Sequence, residues 1–69
     1  MASGSNVLKA TIRQLNNKDV RLRRRAVRKL FELDDPTAID AFIPLLKDQD
    51  EWFRGKALMA IQRWASMKD

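Results

Sequence analysis

The chain has 69 residues, of which 14 are Lys or Arg and nine are Asp or Glu, so its formal net charge is +5. This length allows one small domain at most, and 45% hydrophobic residues exclude a disordered tail, while no apolar run approaches the ~20 residues of a membrane span. The absence of Cys and His excludes disulfides, zinc-finger sites, thiol nucleophiles and imidazole acid–base catalysis.

The predicted elements are four helices that follow a short tail. Residues 1–5 are small and polar, and we interpret them as a linker. Beyond them, few turn residues and almost no alternating β-branched residues predict an all-α fold. Apolar residues then recur every three to four positions in four stretches, and each stretch predicts one amphipathic helix. The four sets are Val7, Leu8, Ile12 and Leu15; Leu22, Ala26, Val27, Leu30 and Leu33; Ile39, Phe42, Ile43 and Leu46; and Phe53, Ala57, Leu58, Ile61 and Trp64.

Aspartates and prolines mark the ends of these helices. Asp19 and Asp50 precede the second and fourth helices, where a carboxylate accepts hydrogen bonds from the first amides and suits the positive end of the helix dipole. Asp35 is the predicted cap of the third helix, with Pro36 in its first turn. Pro44 lies inside the third helix, and we interpret it as a bend rather than a break. The short connections predict that consecutive helices pack as antiparallel hairpins.

The chain repeats itself with a period of 31 residues. A shift by this period places Asp19 on Asp50 and Arg23 on Arg54, and it pairs apolar residues in every helix. Because the matches fall on core and cap positions of all four segments, they predict one helical hairpin present in two copies. We place repeat 1 at about residues 6–34 and repeat 2 at about 36–66, within a single domain that spans 6–66.

Each copy carries the pattern Asp–x–x–x–Arg–x–x–Ala, which starts at Asp19 and at Asp50. This pattern resembles the HEAT repeat, and the short period is most similar to the HEAT-like repeats of phycobilin lyases. The resemblance implies an α/α superhelix, here two HEAT-like hairpins with four antiparallel helices. It also implies that four residues form a structural ladder from the turn of one repeat to the next. They are Asp19, Arg23, Asp50 and Arg54.

Two residues depart from the family pattern. Asn17 stands where the family usually has Asp, as Asp48 does in the second copy, which predicts a looser first turn. Asp34 replaces the glycine that commonly ends the second helix, which argues against a strict left-handed C-cap there.

No set of residues in the sequence predicts a catalytic, cofactor or metal site. The hydroxyl residues have no base at helical spacing, and the acidic clusters lie at helix boundaries, where capping explains them. Gly55 stands alone, so there is no glycine-rich phosphate loop. We therefore predict a protein that is not an enzyme, with no cofactor, no metal and no membrane partner. Since residues 1–5 have no signal-peptide features, we also predict a cytoplasmic location.

The net charge lies in the first half of the chain. Residues 1–35 hold nine basic and four acidic residues, whereas residues 36–69 hold five of each. Most of the cations belong to the second helix, and the family resemblance implies that second helices line the concave, partner-contacting surface. We predict a protein-interaction scaffold that binds an acidic protein surface. The predicted partner-binding residues are Arg21, Arg24, Arg25, Arg28, Lys29, Trp52, Lys56 and Met59.

Three alternatives stay open for this basic helix. It is a solvated face that only keeps the chain soluble, or it binds nucleic-acid phosphates. The absence of aromatic residues among the arginines weakens the nucleic-acid alternative. The third alternative is an accessory, lyase-like subunit of an enzyme, and it follows from the resemblance alone.

Overall fold

A computed structural model describes residues 3–67 of the chain. Within this range every regular element is helical, which confirms the predicted all-α fold. The α-helices are α1 (Ser3–Gln14), α2 (Val20–Leu33), α3 (Ile39–Phe42) and α4 (Glu51–Met67), and two 3₁₀ helices span Pro36–Ala38 and Ile43–Lys47.

The chain divides into two compact units, Met1–Asp34 and Asp35–Asp69. In the first unit α1 packs against α2, and in the second α4 packs against α3 and both 3₁₀ helices. Each unit is therefore a helical hairpin, as the repeat predicts. The assignment of both units to one domain stays a prediction.

The first helix begins earlier than expected. Because α1 starts at Ser3, the predicted linker is wrong for residues 3–5, and residues 1–2 lie outside the described part of the chain. The physical reason is that the first turn of a helix needs no intrahelical partner for its N–H groups, so small polar residues are well accommodated there.

The three predicted carboxylate caps are confirmed. Asp19, Asp35 and Asp50 each accept a hydrogen bond from the backbone N–H two residues further on, at 2.9, 3.0 and 2.9 Å. Each bond satisfies one of the amide groups that the start of a helix leaves without a partner. The caps at Asp19 and Asp50 fix where the second helix of each hairpin begins, and so which of its side chains face outward.

Asp34 ends α2 in a left-handed conformation, with φ 50° and ψ 42°, and its N–H donates to the Leu30 carbonyl oxygen at 3.0 Å. The sequence argued against such a cap because the usual glycine is missing. That expectation is wrong: Asp, like Asn, enters this region more readily than other side chains with a Cβ.

Pro44 ends the α-helical part of the third helix instead of bending it. The α-helix stops at Phe42, and Pro44 lies at the start of the 3₁₀ helix Ile43–Lys47, where its missing N–H costs no intrahelical hydrogen bond. The tighter 3₁₀ turn changes which side chains face the core. Leu45 is buried, whereas the predicted core residues Ile43 and Leu46 are 50% and 36% exposed, so that part of the prediction is wrong.

The core of the second unit is aromatic. The rings of Phe42 and Trp64 meet edge to face with centroids 5.4 Å apart, and Phe53 is buried as well. Trp64 is thus a packing residue, as predicted. Two further core predictions are wrong, because Val7 and Leu58 are exposed; both lie at the border of their helix's apolar stripe.

Among residues 6–34 of the first unit, five apolar residues are buried, and the second helix supplies three of them. The buried set is Leu8, Leu15, Ala26, Val27 and Leu30.

Candidate functional site

Five of the six cations of α2 form two rows on the helix surface. Arg21, Arg24 and Arg28 follow one another at spacings of three and four residues along one side of α2, and we call them the outer row; Nε of Arg24 is buried. Arg25 and Lys29, one helical turn apart, lie closer to α1 and form the groove row. Four of these five side chains are exposed, and Arg24 is half-buried.

Arg21 of the outer row has the Asp19 carboxylate of the α2 cap beside it. Its Nη2 lies 3.2 Å from Oδ2 of Asp19, and the Arg21 side chain is 86% exposed. The Arg21 side chain and backbone both donate hydrogen bonds to the Asp19 carboxylate, and this lowers the pKa of Asp19 below its ordinary value. The same contact raises the pKa of Arg21. Part of the Arg21 charge is therefore offset within the chain.

A groove of about 320 Å³ runs between α1 and α2. Its apolar lining comes from Ala10, Leu22 and Ala26, and the two groove-row cations line it as well. The full lining is Ala10, Thr11, Gln14, Leu22, Arg25, Ala26 and Lys29.

The sequence predicted Arg25 and Lys29 as binding residues but missed Thr11 and Gln14. A signal was present in the repeat, because the residues 31 positions later than Thr11 and Gln14 are Phe42 and Leu45. Both of these are buried in repeat 2. The change from large apolar to polar side chains at matching positions marks a surface that differs between the two hairpins.

The ladder arginines fold back onto the turn of their own repeat. Nε of Arg23 donates to the carbonyl oxygen of Leu15 at 3.2 Å. Nη1 of Arg54 donates to the carbonyl oxygens of Asp48 at 2.8 Å and Gln49 at 3.0 Å. Each arginine thus ties its second helix to the turn before it, and the predicted ladder between repeats stays a prediction.

The turn before the second helix has the same hydrogen bond in both repeats. Oδ1 of Asn17 accepts from the N–H of Asp19 at 2.8 Å, and Oδ1 of Asp48 accepts from the N–H of Asp50 at the same distance. The looser first turn predicted from Asn17 is wrong in this respect, because the bond needs only a side-chain oxygen, which both amide and carboxylate supply.

Of the three predicted binding residues of repeat 2, Trp52 and Lys56 contact each other and Met59 lies apart from them. Nζ of Lys56 lies 5.3 Å from the ring centroid of Trp52, and that ring meets Phe53 edge to face at 5.0 Å. Trp52 and Lys56 are therefore half-buried against each other and stabilised by a cation–π contact. Met59 is 54% exposed. The structure brings Trp52 and Lys56 together, and Met59 makes a separate apolar surface.

Gly55 lies on the exposed side of α4. A Cβ atom added there would meet nothing within 4 Å. The glycine is therefore not required for close packing within the described part of the chain.

Two structural properties bear on other functions. Among residues 3–67, no group of three or more acidic side chains is placed to hold a metal ion. None of the helices in that range is long and apolar enough to cross a membrane.

Two hairpins with matching caps and matching arginine-to-turn hydrogen bonds define an α/α repeat protein. A family model described as HEAT repeats matches residues 8–68, which is most of the chain. The chain therefore belongs to the HEAT-repeat family, and the resemblance found in the sequence is confirmed. Comparisons with curated proteins and with solved structures gave no match.

Family membership defines the function coarsely. HEAT repeats form helical modules that commonly mediate protein interactions and are typically non-catalytic. The particular similarity to phycobilin-lyase repeats stays a prediction. A more specific function has to be argued from the surface residues of this chain.

Proposed function

We propose that this chain is a non-catalytic protein-interaction module whose basic α2 helix binds an acidic surface of a partner protein. The observation that carries the proposal is the cluster of exposed cations on one helix. Arg25, Arg28 and Lys29 are all exposed within two turns, in the half of the chain that holds the entire net charge. Such a concentration of one sign of charge attracts and orients an oppositely charged partner.

The helix that carries the cations is fixed at both ends. Asp19 caps its start and Asp34 closes its end, while Ala26, Val27 and Leu30 bury its inner side. A backbone held in this way loses little further conformational freedom when a partner binds. The arginine and lysine side chains therefore bear most of the ordering cost.

Electrostatics sets how such a surface would act. An exposed ion pair contributes only about 0.2–1 kcal/mol, so the cations mainly speed association and select the partner's charge. Added salt screens these contacts, because the Debye length is about 8 Å at physiological ionic strength. Tight binding then requires apolar contacts in addition to the charges.

A protein partner is favoured over nucleic acid by the composition of α2. Single-stranded nucleic acids are usually bound by cations together with exposed aromatic rings on which bases stack. The only aromatic residue within α2 is Phe31, which is half-buried. The outer row therefore offers charge without a stacking surface.

The test immobilises the full chain, recovers the proteins it retains from a cell extract, and measures the affinity of each at two salt concentrations. The variant R24E/R28E reverses two outer-row charges. The matched control K18E/K47E reverses two exposed lysines outside α2. We expect R24E/R28E to weaken binding about tenfold or more at low salt, chiefly by slowing association. The control should change the affinity less than about threefold.

Circular dichroism establishes that both variants keep their helices. Equal losses of affinity in the two variants would show a response to net charge rather than to α2. Retention of nucleic acid alone would favour the other class of partner. Either result would contradict the proposed function.

A further inference from the structure

The groove between α1 and α2 is lined by both apolar side chains and cations. Ala10, Leu22 and Ala26 supply the apolar lining, and Arg25 and Lys29 supply the positive charge. The volume of about 320 Å³ lies at the lower end of the range that binding clefts occupy. The two alanines of this lining allow another backbone to come close.

The two repeats differ at this surface. Thr11, Gln14 and Lys29 in repeat 1 correspond to Phe42, Leu45 and Ala60 in repeat 2. The repeat 2 residues are all buried. Compared with the matching positions of repeat 2, repeat 1 therefore has less apolar side-chain volume on α1 and one additional positive charge on α2. A purely apolar partner would desolvate that charge, which an exposed contact with Glu32 at 3.7 Å offsets only weakly, and this is unfavourable.

We propose that this groove binds an acidic amphipathic helix of a partner protein. The inference rests on the proposed function, and it specifies both the site and the chemistry of the partner. Apolar residues of the bound helix contact Ala10, Leu22 and Ala26, and its carboxylates contact Arg25 and Lys29. Because the two cations are four residues apart, two acidic residues four apart on the bound helix have the same spacing of about 6 Å.

The polar residues of the α1 side are already partly hydrogen-bonded. Oγ1 of Thr11 donates to the Val7 carbonyl oxygen at 2.7 Å, so its proton is used within α1. Oε1 of Gln14 accepts from Nδ2 of Asn17 at 3.1 Å. This bond uses the acceptor of Gln14 and keeps its amide N–H groups as donors, which again suits a carboxylate or carbonyl ligand.

Glu32 supplies an internal competitor for the partner. Its Oε1 lies 3.7 Å from Nζ of Lys29, and the two side chains are 72% and 48% exposed. A contact this long and exposed is weak. A carboxylate of the bound helix can therefore replace Glu32 at Lys29, and removal of the Glu32 charge should strengthen binding.

The probe is a synthetic peptide of about 15 residues, roughly 22 Å long as a helix, which is close to the length of α2. It carries Leu and Ala at helical spacing on one side and Glu on the other. Two control probes are a scrambled peptide of the same composition and a short single-stranded oligonucleotide. Affinities are measured by fluorescence anisotropy with the full chain, and the site is located by ¹⁵N–¹H NMR titration.

Two pairs of variants separate the groove from the rest of the surface. R25E/K29E reverses the groove row, and its match R24E/R28E makes the same charge change in the outer row of α2. We expect R25E/K29E, which removes the direct contacts, to weaken peptide binding at least about threefold more than R24E/R28E, which acts only through the charge of the outer row. Ala10→Phe fills the groove and should also abolish binding, whereas Ala65→Phe, at an exposed position of α4, should not.

The competition by Glu32 is tested with a variant that leaves the groove lining unchanged. Glu32→Gln should tighten peptide binding about twofold to threefold, in line with the strength of an exposed ion pair. Glu51→Gln makes the same charge change at an exposed position at the start of α4. It should leave the affinity nearly unchanged.

Support for the groove requires the amphipathic peptide to bind at least tenfold more tightly than the scrambled one. It also requires the largest chemical-shift changes at Ala10, Thr11 and Ala26. Equal binding of both peptides, or stronger binding of the oligonucleotide, would overturn the inference. If binding is lost in R24E/R28E but not in R25E/K29E, the proposed function stands and the groove assignment is wrong. If neither variant affects binding of the peptide, both are wrong.

Discussion

Replacement of Gly55 by Ala should stabilise the protein. Gly55 lies in the second turn of α4, on its exposed side, and no residue approaches the position of an added Cβ atom. Its φ is not positive, so Ala adopts the same backbone conformation without strain. In a helix interior, Ala is favoured over Gly by about 0.8–1.0 kcal/mol, because Gly loses more backbone freedom on folding.

The expected gain is therefore about 1 kcal/mol in the free energy of unfolding. For a chain of this size, that raises the melting temperature by roughly 4–8 °C. Thermal and urea unfolding followed by circular dichroism at 222 nm measure both quantities. The reverse change Ala65→Gly, in the last turns of the same helix, should destabilise by a smaller amount, since helix ends fray.

A decrease in stability on Gly55→Ala would refute this reasoning, because it would mean that another group packs against Gly55. The same variant also tests a functional role for the glycine. If Gly55 allowed close approach of a ligand, Ala would weaken partner binding; we expect the affinity to be unchanged. The proposed groove in repeat 1 does not include this position.

Three further predictions concern local structure that differs from the sequence expectation or depends on charge. Leu45→Ala should lower the free energy of unfolding by about 2–4 kcal/mol, and Leu46→Ala by less than about 1 kcal/mol, as measured by urea unfolding. Asp34→Val should destabilise by about 1–2 kcal/mol, because a β-branched residue is strained at φ 50°, whereas Asp34→Asn should be nearly neutral in thermal melts. Since the pKa of Asp19 is lowered in the folded state, its contribution to stability is present above the ordinary value of 3.8 and is lost as the pH falls through the lowered pKa. Asp19→Asn, which keeps a capping side chain, should reduce that acid dependence in melts recorded between neutral and acidic pH.

Each of these predictions has a clear contrary result. Equal effects at Leu45 and Leu46 would mean that the third helix is a continuous α-helix with the predicted stripe. A tolerated Val at position 34 would mean that α2 does not end in the left-handed conformation. An unchanged acid dependence in the Asp19 variant would mean that the contact with Arg21 contributes nothing to stability.

Hydrophobic periodicity and the internal repeat were sufficient to predict the fold class. The stripe through Leu8 in α1 and Leu15 just after it, and that through Phe53, Ala57 and Trp64 in α4, lead directly to the buried residues of two hairpins. The caps were predictable because an aspartate before an apolar stripe has a specific hydrogen-bonding role. The apolar periodicity and the cap residue within one segment are therefore sufficient to predict a long amphipathic helix.

The third helix was less predictable because its apolar residues do not define a single register. Ile43, Leu45 and Leu46 flank Pro44. The sequence is therefore compatible with burial of Ile43 and Leu46 or with burial of Leu45. The choice depends on the change from α-helical to 3₁₀ geometry at the proline. A periodicity of 3.6 residues cannot indicate that change.

The groove was missed for a different reason. It arises because Thr11 and Gln14 are smaller or more polar than residues at the matching positions of repeat 2. Missing apolar volume of this kind is not indicated by any single residue of the sequence. In a repeat protein, the shared positions preserve the hairpin, and the differences between copies indicate where the surface has become specialised. The basic helix and the groove are both such differences: Arg28 corresponds to Met59, and Lys29 to Ala60. Since these changes and those at Thr11 and Gln14 fall on neighbouring surfaces of repeat 1, the first hairpin has the stronger case for partner binding.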